Sequence, residues 1–253
     1  AKKDMVFVQE MIDYIEKNEK TKEADFWIQN LKGTKIYISD LKLKTHGRDK
    51  QMAENLDWII AQNPGKKIIC WGATSHFLYN SSEVRMTHVL AQLAANHYKK
   101  NKMMGDYVKE KYGDKVYTIG FTANNGFYGV NRNRKLKPPK ENSLEYILAQ
   151  SEYDNFLLPL EGLKVSPLLS RPLGNYYMKN DISNVMDAVI FNREMQRPKL
   201  DRNLFLKVYP ENKWIKPVML FFFLGNVLTA TASDAGKKYL FDERLKYDIF
   251  FDA

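Results

Sequence analysis

The sequence has a single cysteine and lacks the short motifs of several common enzyme classes. Cys70 cannot form an intrachain disulfide, and its apolar neighbours predict a thiol buried in a strand. There is no Gly-x-Ser-x-Gly elbow, P-loop or Gly-x-Gly-x-x-Gly run, which argues against common serine hydrolases, NTPases and dinucleotide enzymes. The 4 histidines form no metal-ligand pattern, so we expect neither a metal nor another cofactor.

Long apolar runs and strong charge segregation are also missing. The run at 218–228 is too short for a membrane helix and contains Gly225-Asn226, which favours a hairpin or a strand pair. The 39 Lys and Arg residues exceed the 30 Asp and Glu residues, but the charges alternate in sign, as on a solvated surface. The densest basic segment, 132–140, contains Pro138-Pro139 and has the composition of a loop, which argues against nucleic acid as a partner.

The hydrophobic pattern predicts alternating helices and strands through residue 197. A helical period predicts two helices within 4–31 and further helices at 48–61, 84–100, 104–112 and 143–151. Short apolar runs predict strands at 68–71, 116–121, 156–160 and 185–191, with a short extended piece at 35–39. This alternation predicts an α/β domain at 1–197 with a mainly parallel sheet flanked by helices. From 198 to 253, β-formers and turn pairs predict a β-rich extension of unknown role.

His76 is the strongest candidate for chemistry because it is expected just past the end of the strand at 68–71. Parallel sheets bind ligands at such strand ends, and an imidazole there can act as a base or stabilise negative charge. The alternative is a surface or capping histidine. The same placement predicts a functional face that includes Asn124, Glu161 and residues 192–194.

The helix at 48–61 supplies further candidates. Arg48 could bind an oxyanion beside Asp49, although an acidic residue in a first turn also offsets the helix dipole. Glu54 and Asn55 are polar residues on a helix whose apolar residues form one stripe, so one of them is a candidate to face the cleft. The alternative is exposure to solvent, which is favoured for Glu54 and less so for Asn55. His46 is a minority candidate, in the connection before the helix. His88 and His97 are expected to be ordinary helix histidines, because their spacing does not place them on adjacent turns of one face.

A series of motifs in one order resembles the erythromycin esterase family, which includes proteins described as succinoglycan biosynthesis proteins. The resemblance covers roughly residues 35–197 and rests on Arg48-Asp49-x-x-Met52-Ala53-x-Asn55-x-x-Trp58, Lys67 to Trp71, His76, Met104-Gly105, Tyr112-Gly113-Asp114-x-Val116-Tyr117-x-Ile119-Gly120-Phe121, Ser143, Arg171-x-x-Gly174 and Met186 to Ile190.

The resemblance implies an α/β hydrolase-like activity that uses no covalent serine, in which a histidine activates water to open an ester such as a macrolide lactone. Against the family pattern Trp-Ala-His-Asn-x-His, this sequence keeps the second histidine as His76 but has Ala73 and Thr74 in place of the first histidine and the asparagine. The family's Glu-x-x-His-Gly motif has no counterpart. Either the N-terminal part of the domain lies outside this chain, or the site has decayed.

Two functions therefore stay open. The first is hydrolysis of a small-molecule ester, with His76 and Arg48 as catalytic residues and with substrate contacts from Asp49, Glu54, Asn55, Trp71 and Asn124. The second is a non-catalytic descendant that binds a glycan or envelope ligand in the same cleft, helped by Trp71, Tyr79 and Tyr128. The sequence leaves open the oligomeric state, and the location could be cytoplasmic or, after removal of a signal peptide, envelope-associated or secreted.

Overall fold

The computed structural model describes residues 2–129, 134–163, 168–173 and 175–197. The predicted β-rich extension at 198–253 lies outside the described residues, and its boundary stays a prediction.

Two long helices open the chain, α1 (Lys2–Asn18) and α2 (Lys22–Leu43). They pack through Val8, Ile12 and Ile28, and the Thr21 hydroxyl caps α2 by accepting a hydrogen bond from the Ala24 N–H at 3.1 Å. The prediction of two helices within 4–31 is confirmed. The predicted extended piece at 35–39 is wrong, because these residues continue α2 and Ile38 packs against the same apolar cluster.

Five shorter helices follow in the part of the chain that the structure describes, interspersed with 3-10 turns at Ser81–Glu83, Gly113–Lys115 and Ile182–Asn184. The helices are α3 (Arg48–Gln62), α4 (Thr74–Phe77), α5 (Val89–Ala95), α6 (Met104–Tyr112) and α7 (Leu144–Leu148). The predictions for α3, α6 and α7 are confirmed, including the Ser143 cap, whose side chain accepts from the Tyr146 N–H at 3.3 Å. The helix predicted at 84–100 is limited to Val89–Ala95, because a bridge at Met86 occupies its first part and a turn follows at 96–100.

Within the described residues, six strands form two sheets: β1 (Ile119–Tyr128), β2 (Arg134–Lys135), β3 (Asn155–Pro159), β4 (Ser170–Leu173), β5 (Tyr176–Met178) and β6 (Ala188–Met195). The larger sheet has the order β2-β1-β6-β3, and β4 pairs with β5. Ile119 of β1 lies opposite Ala188 of β6 in the parallel pair, whereas β2 and β3 run antiparallel to their neighbours. The α/β class is confirmed, with a mixed sheet in which the parallel pairing is confined to β1 and β6.

The main core lies on one face of this sheet, and a smaller cluster joins α3 to α6. The main core contains Val189 and Phe191 of β6 and the fully buried Leu78, which follows α4. In the smaller cluster Ala53 and Leu56 of α3 contact the apolar side of α6. These two clusters fix the positions of α3, α4 and α6, the helices that build the site below.

The strand predicted at 68–71 is wrong. In the described part of the chain no strand pairs with this segment, and the side chains of Ile69 and Trp71 are 91% and 82% exposed. Cys70 is exposed as well, so the prediction of a buried thiol is also wrong. His76 consequently does not follow a strand, and lies instead on the short helix α4.

Candidate active site

Asp49 and His76 form a close hydrogen-bonded pair between two helices. Asp49 is in the first turn of α3, and its Oδ1 lies 2.7 Å from Nδ1 of His76 on α4. Both side chains are largely buried, with 13% and 18% exposed. The same carboxylate oxygen accepts a hydrogen bond from the Met104 N–H at the start of α6, at 3.1 Å. One carboxylate therefore connects three helices and holds the imidazole.

The surroundings of Asp49 favour its charged form. Burial alone would raise the pKa of Asp49, but the hydrogen bond and charge of His76, the Met104 N–H and the charge of Arg48 together lower it. A carboxylate can only accept hydrogen bonds, so Nδ1 of His76 must carry the hydrogen that Asp49 accepts. In the neutral imidazole, Nε2 then keeps the lone pair. This is the tautomer that a general base needs.

A cavity of about 230 Å³ opens beside this pair. We call it the Asp49–His76 cavity, and it is lined by Asp40, His46, Arg48, Asp49, Ser75, His76, His97, Tyr98, Asn101, Lys102 and Met103. Three candidates from the sequence, Arg48, Asp49 and His76, line it together, and His46 is also present. Helices and loops form its wall.

The loop before α3 is fixed by Asp40, near the end of α2. Its carboxylate accepts hydrogen bonds from the backbone N–H groups of Gly47 and Arg48, at 2.8 and 2.9 Å, and from the Thr45 hydroxyl. Gly47 stands at the cap position of α3 without a side chain, so Asp40 satisfies the free N–H groups of the first turn. His46 in this loop has a positive φ of 56°, which few non-glycine residues adopt. The bonds of Asp40 hold this conformation beside the cavity.

His97 and His46 approach each other at the cavity, with ring centroids 4.7 Å apart. Burial and the charge of His46 lower the pKa of His97, while Asp49 acts in the opposite direction. Nδ1 of His97 lies 3.1 Å from the side-chain nitrogen of Asn101. The prediction that His97 is an ordinary helix histidine is wrong, because α5 ends at Ala95 and His97 follows it at the cavity wall. In the sequence, only the i, i+4 spacing of His97 and Asn101 indicates that these two side chains meet.

Tyr98 closes another part of the wall through a hydrogen bond with Ser75. Burial and the charge of Asp49 raise the pKa of the Tyr98 phenol, although the Ser75 contact opposes this. Tyr98 therefore stays a neutral phenol at ordinary pH.

Four predicted substrate-binding residues are not among those that line the cavity. Glu54 is exposed and lies 3.7 Å from Lys50, and Asn55 accepts a hydrogen bond from Gln51 at 3.0 Å. Trp71 packs edge-on against Phe121, and Asn124 lies within β1. Positions 54 and 55 do not share the helix face of Asp49, so being on the same helix does not bring Glu54 and Asn55 to His76.

The predicted placement of Asn124 and residues 192–194 after the ends of strands is also wrong. Asn124 and residues 192–194 lie inside β1 and β6 instead of following them, and Glu161 is exposed after β3. None of these residues lines the Asp49–His76 cavity.

Across the described ranges, no group of three or more His, Cys, Asp or Glu side chains is arranged to hold a metal ion. Within the same ranges, no helix has the length and apolar character needed to cross a bilayer.

The fold and site define an α/β domain with a histidine–carboxylate pair in a small polar cavity. Residues 4–195 match the family model described as Erythromycin esterase, so the chain belongs to the erythromycin esterase family. The chain is 32% identical over 111 residues to "Putative hydrolase YbfO" of Bacillus subtilis (strain 168), a match that covers 42% of this chain and 23% of that protein.

Solved structures share the fold at low sequence identity. A succinoglycan biosynthesis protein matches with a TM-score of 0.53 and 19% identity, covering 76% of this chain and 49% of that one. A histidine-to-asparagine variant of the erythromycin esterase EreC, in its open conformation, matches with a TM-score of 0.52 and 15% identity, covering 76% and 51%. The chain thus spans about half the length of these structural relatives and 23% of the curated one.

Proposed function

We propose that this chain hydrolyses a carboxylic ester by activating water, with His76 as the general base and Asp49 as its orienting partner. The observation that carries the proposal is the 2.7 Å contact between His76 Nδ1 and Asp49 Oδ1. It fixes the hydrogen on Nδ1 and leaves Nε2 to accept a proton. Membership in the erythromycin esterase family and the similarity to a protein named as a hydrolase support the same reaction.

In the proposed reaction, His76 Nε2 takes a proton from water as the water oxygen bonds to the carbonyl carbon of the ester. The Asp49 carboxylate stabilises the imidazolium that forms, as the carboxylate of a Ser-His-Asp triad does. The carbon–oxygen bond to the alcohol then breaks, and the leaving oxygen takes the proton from Nε2. Arg48 lines the same cavity and supplies positive charge where the carbonyl oxygen becomes negative.

The size of the cavity suggests which part of an ester it would hold. A volume of about 230 Å³ lies below the roughly 300–1,000 Å³ of sites that enclose a drug-sized ligand. The cavity would therefore take the ester carbonyl and a short acyl or alkyl group, while the rest of a polyketide or glycan stays outside. This favours substrates in which the ester is at the end of a chain or on the rim of a ring.

The test is the hydrolysis of p-nitrophenyl acetate, p-nitrophenyl butyrate and small lactones by the full chain and its variants. We expect His76→Gln to lower kcat/KM by about 10²- to 10⁴-fold, the usual contribution of a general base. His88→Gln is the matched control, since His88 contacts Tyr176 and does not line the cavity. Absence of hydrolysis by the wild type, or an unchanged rate in His76→Gln, would contradict the proposal.

A second candidate function is glycan binding without catalysis, favoured by an exposed aromatic pair. The ring of Trp71 is edge-on to that of Phe121, with centroids 5.1 Å apart, and the two residues are 82% and 38% exposed. Flat aromatic rings with an apolar face and a wet edge are common in binding surfaces. Tyr79, which the sequence suggested as a helper, instead donates a hydrogen bond to Asp187. In this case oligosaccharides would quench Trp fluorescence, Trp71→Ala would abolish binding, and His76→Gln would leave it intact.

A further inference from the structure

The contact between Asn101 and His97 determines where His97 carries its hydrogen. The side-chain nitrogen of Asn101 lies 3.1 Å from His97 Nδ1 and also 3.3 Å from the His97 backbone carbonyl oxygen. A carbonyl oxygen only accepts hydrogen bonds, so the atom facing it must be the amide nitrogen of Asn101 and not its oxygen. An amide nitrogen only donates. His97 Nδ1 must therefore be an acceptor, and the ring hydrogen is on Nε2.

His76 has the opposite arrangement in the same cavity. Its Nδ1 donates to the Asp49 carboxylate, so the lone pair is on Nε2. Two histidines of one cavity are thus held by different neighbours as opposite tautomers, one with an accepting Nε2 and the other with a donating Nε2–H. A hydrolytic site needs both kinds of group, because one atom must take the proton of water and another must stabilise the negative carbonyl oxygen.

We propose that His97, held by Asn101 as its Nε2–H tautomer, donates a hydrogen bond to the carbonyl oxygen of an ester bound in the Asp49–His76 cavity. This role rests on the proposed function and makes His97, together with Arg48, a group that stabilises the tetrahedral oxyanion. No proton leaves His97 during the reaction. The proton of water goes to His76 Nε2 and then to the leaving alcohol oxygen.

The environment keeps His97 in the neutral form that this role requires. A protonated His97 would carry a hydrogen on Nδ1 and point it at the amide nitrogen of Asn101, where two donors would face each other. The ring of His46 at 4.7 Å adds a second imidazole that opposes positive charge on His97. Neutral histidines that donate to a developing oxyanion are an established means of catalysis, as in triosephosphate isomerase.

The role of Asn101 is that of a positioning residue. It does not need to touch substrate, because its amide acts only by making Nδ1 of His97 an acceptor. Replacing the amide with a carboxylate reverses the direction of this hydrogen bond, since a carboxylate accepts a hydrogen bond from Nδ1. In Asn101→Asp, His97 would be a donor at Nε2 only while it is protonated, and above its raised pKa Nε2 would become an acceptor.

The first experiment reads the tautomers directly by long-range proton–nitrogen NMR on the full chain with ¹⁵N-labelled histidine, using single His→Gln variants to assign the 4 histidines. At neutral pH we expect His97 as the Nε2–H form and His76 as the Nδ1–H form. Phenylphosphonate, a stable tetrahedral anion, should shift the His97 Nε2–H resonance. A His97 that is protonated or in the Nδ1–H form would overturn the proposal, as would the absence of any shift with phenylphosphonate.

The second experiment measures ester hydrolysis. His97→Phe keeps a flat ring but removes the donor, and we expect kcat to fall about 10²- to 10³-fold, as when one oxyanion donor is lost, with a small change in KM. Asn101→Asp should lose activity at alkaline pH, whereas the wild type should not. Its matched control is Asn30→Asp, because Asn30 makes the same i, i−4 bond to a carbonyl, that of Phe26, in α2.

An unchanged kcat in His97→Phe, or a pH profile of Asn101→Asp that superimposes on that of the wild type, would overturn the role of His97. If the wild type hydrolyses no ester at all, the proposed function fails. The NMR experiment still decides in that case whether His97 is the anion donor of the cavity.

Discussion

Gly105 of α6 lies directly against the backbone carbonyl oxygen of Phe77, the residue that follows His76. A Cβ atom on Gly105 would be 2.2 Å from that oxygen and 2.4 Å from the carbonyl oxygen of Leu78. These neighbours are backbone atoms that no side-chain rotation can remove. Helix α6 therefore approaches α4 only because residue 105 has no side chain, and this approach brings the Met104 N–H to Asp49.

Gly105→Ala should accordingly destabilise the domain although alanine favours helices. We expect a loss of about 3 kcal/mol in the free energy of unfolding, at the upper end of overpacking effects, measured by urea denaturation. The matched control is Gly33→Ala in the middle of α2, where an added Cβ meets nothing within 4 Å. That control should gain roughly 0.5–1 kcal/mol. Equal effects of the two substitutions would contradict the packing of α6 on α4.

Asp40→Ala should weaken the start of α3 and the loop that carries His46. The lost carboxylate leaves the N–H groups of Gly47 and Arg48 without their acceptor. The expected loss is about 1–2 kcal/mol of unfolding free energy, the usual effect of removing a helix cap. Asp114→Ala, at an exposed position of the 3-10 turn before β1, is the control and should change stability by no more than about 0.5 kcal/mol. A loss in Asp40→Ala no larger than in the control would rule out the capping role.

The lowered pKa of His97 predicts how stability depends on pH. Because the folded state binds a proton to His97 less readily than the unfolded chain does, stability should fall as the pH drops below about 6.5, the ordinary histidine value. His97→Gln removes this contribution, so its stability should fall less than that of the wild type between pH 7 and pH 5. Chemical denaturation at several pH values measures the difference. Parallel stability curves for the two proteins would show that folding does not perturb His97.

The lowered pKa of Asp49 acts at more acidic pH and with the same sign. The folded state holds Asp49 charged, so its contribution to stability is complete above the ordinary aspartate pKa and is lost as the pH falls through the lower folded value. Asp49→Asn should therefore flatten the acid limb of the stability curve below about pH 4, where His97→Gln should have no further effect. If the stability of Asp49→Asn falls with acid as steeply as that of the wild type, the coupling of Asp49 to His76 is contradicted.

The parts that could be predicted from the sequence are those whose pattern is decided locally. Helix α3 shows apolar residues on one stripe and ends at Gln62, as expected from the Asn63-Pro64-Gly65 that follows. The family motifs likewise single out Arg48, Asp49 and His76, and these three residues line one cavity. His76 is nevertheless on a helix and the apolar run before it is not a strand, so the predicted position of His76 at a strand end is wrong. A four-residue apolar run does not specify whether a partner strand exists.

The parts that could not be predicted depend on contacts between distant segments. His97 meets His46 across a loop and a helix end, and no spacing rule relates two residues so far apart in the chain. Asp40 lies near the end of α2 and caps the first turn of α3. The sequence pattern predicts an extended piece at 35–39, so it does not predict that a helix reaches Asp40. Trp71 is close to His76 in sequence, but its ring packs on Phe121 of the sheet and it does not line the Asp49–His76 cavity.

The central claim is that Asp49 and His76 act as one unit on an ester, and a double-mutant cycle on kcat/KM tests it most directly. Rates are measured for the wild type, Asp49→Asn, His76→Gln and the double variant, with unfolding curves to confirm that all four are folded. If Asp49 acts only through His76, the double variant should be no slower than His76→Gln alone. Losses that simply multiply, or a His76→Gln variant as fast as the wild type, would contradict the account.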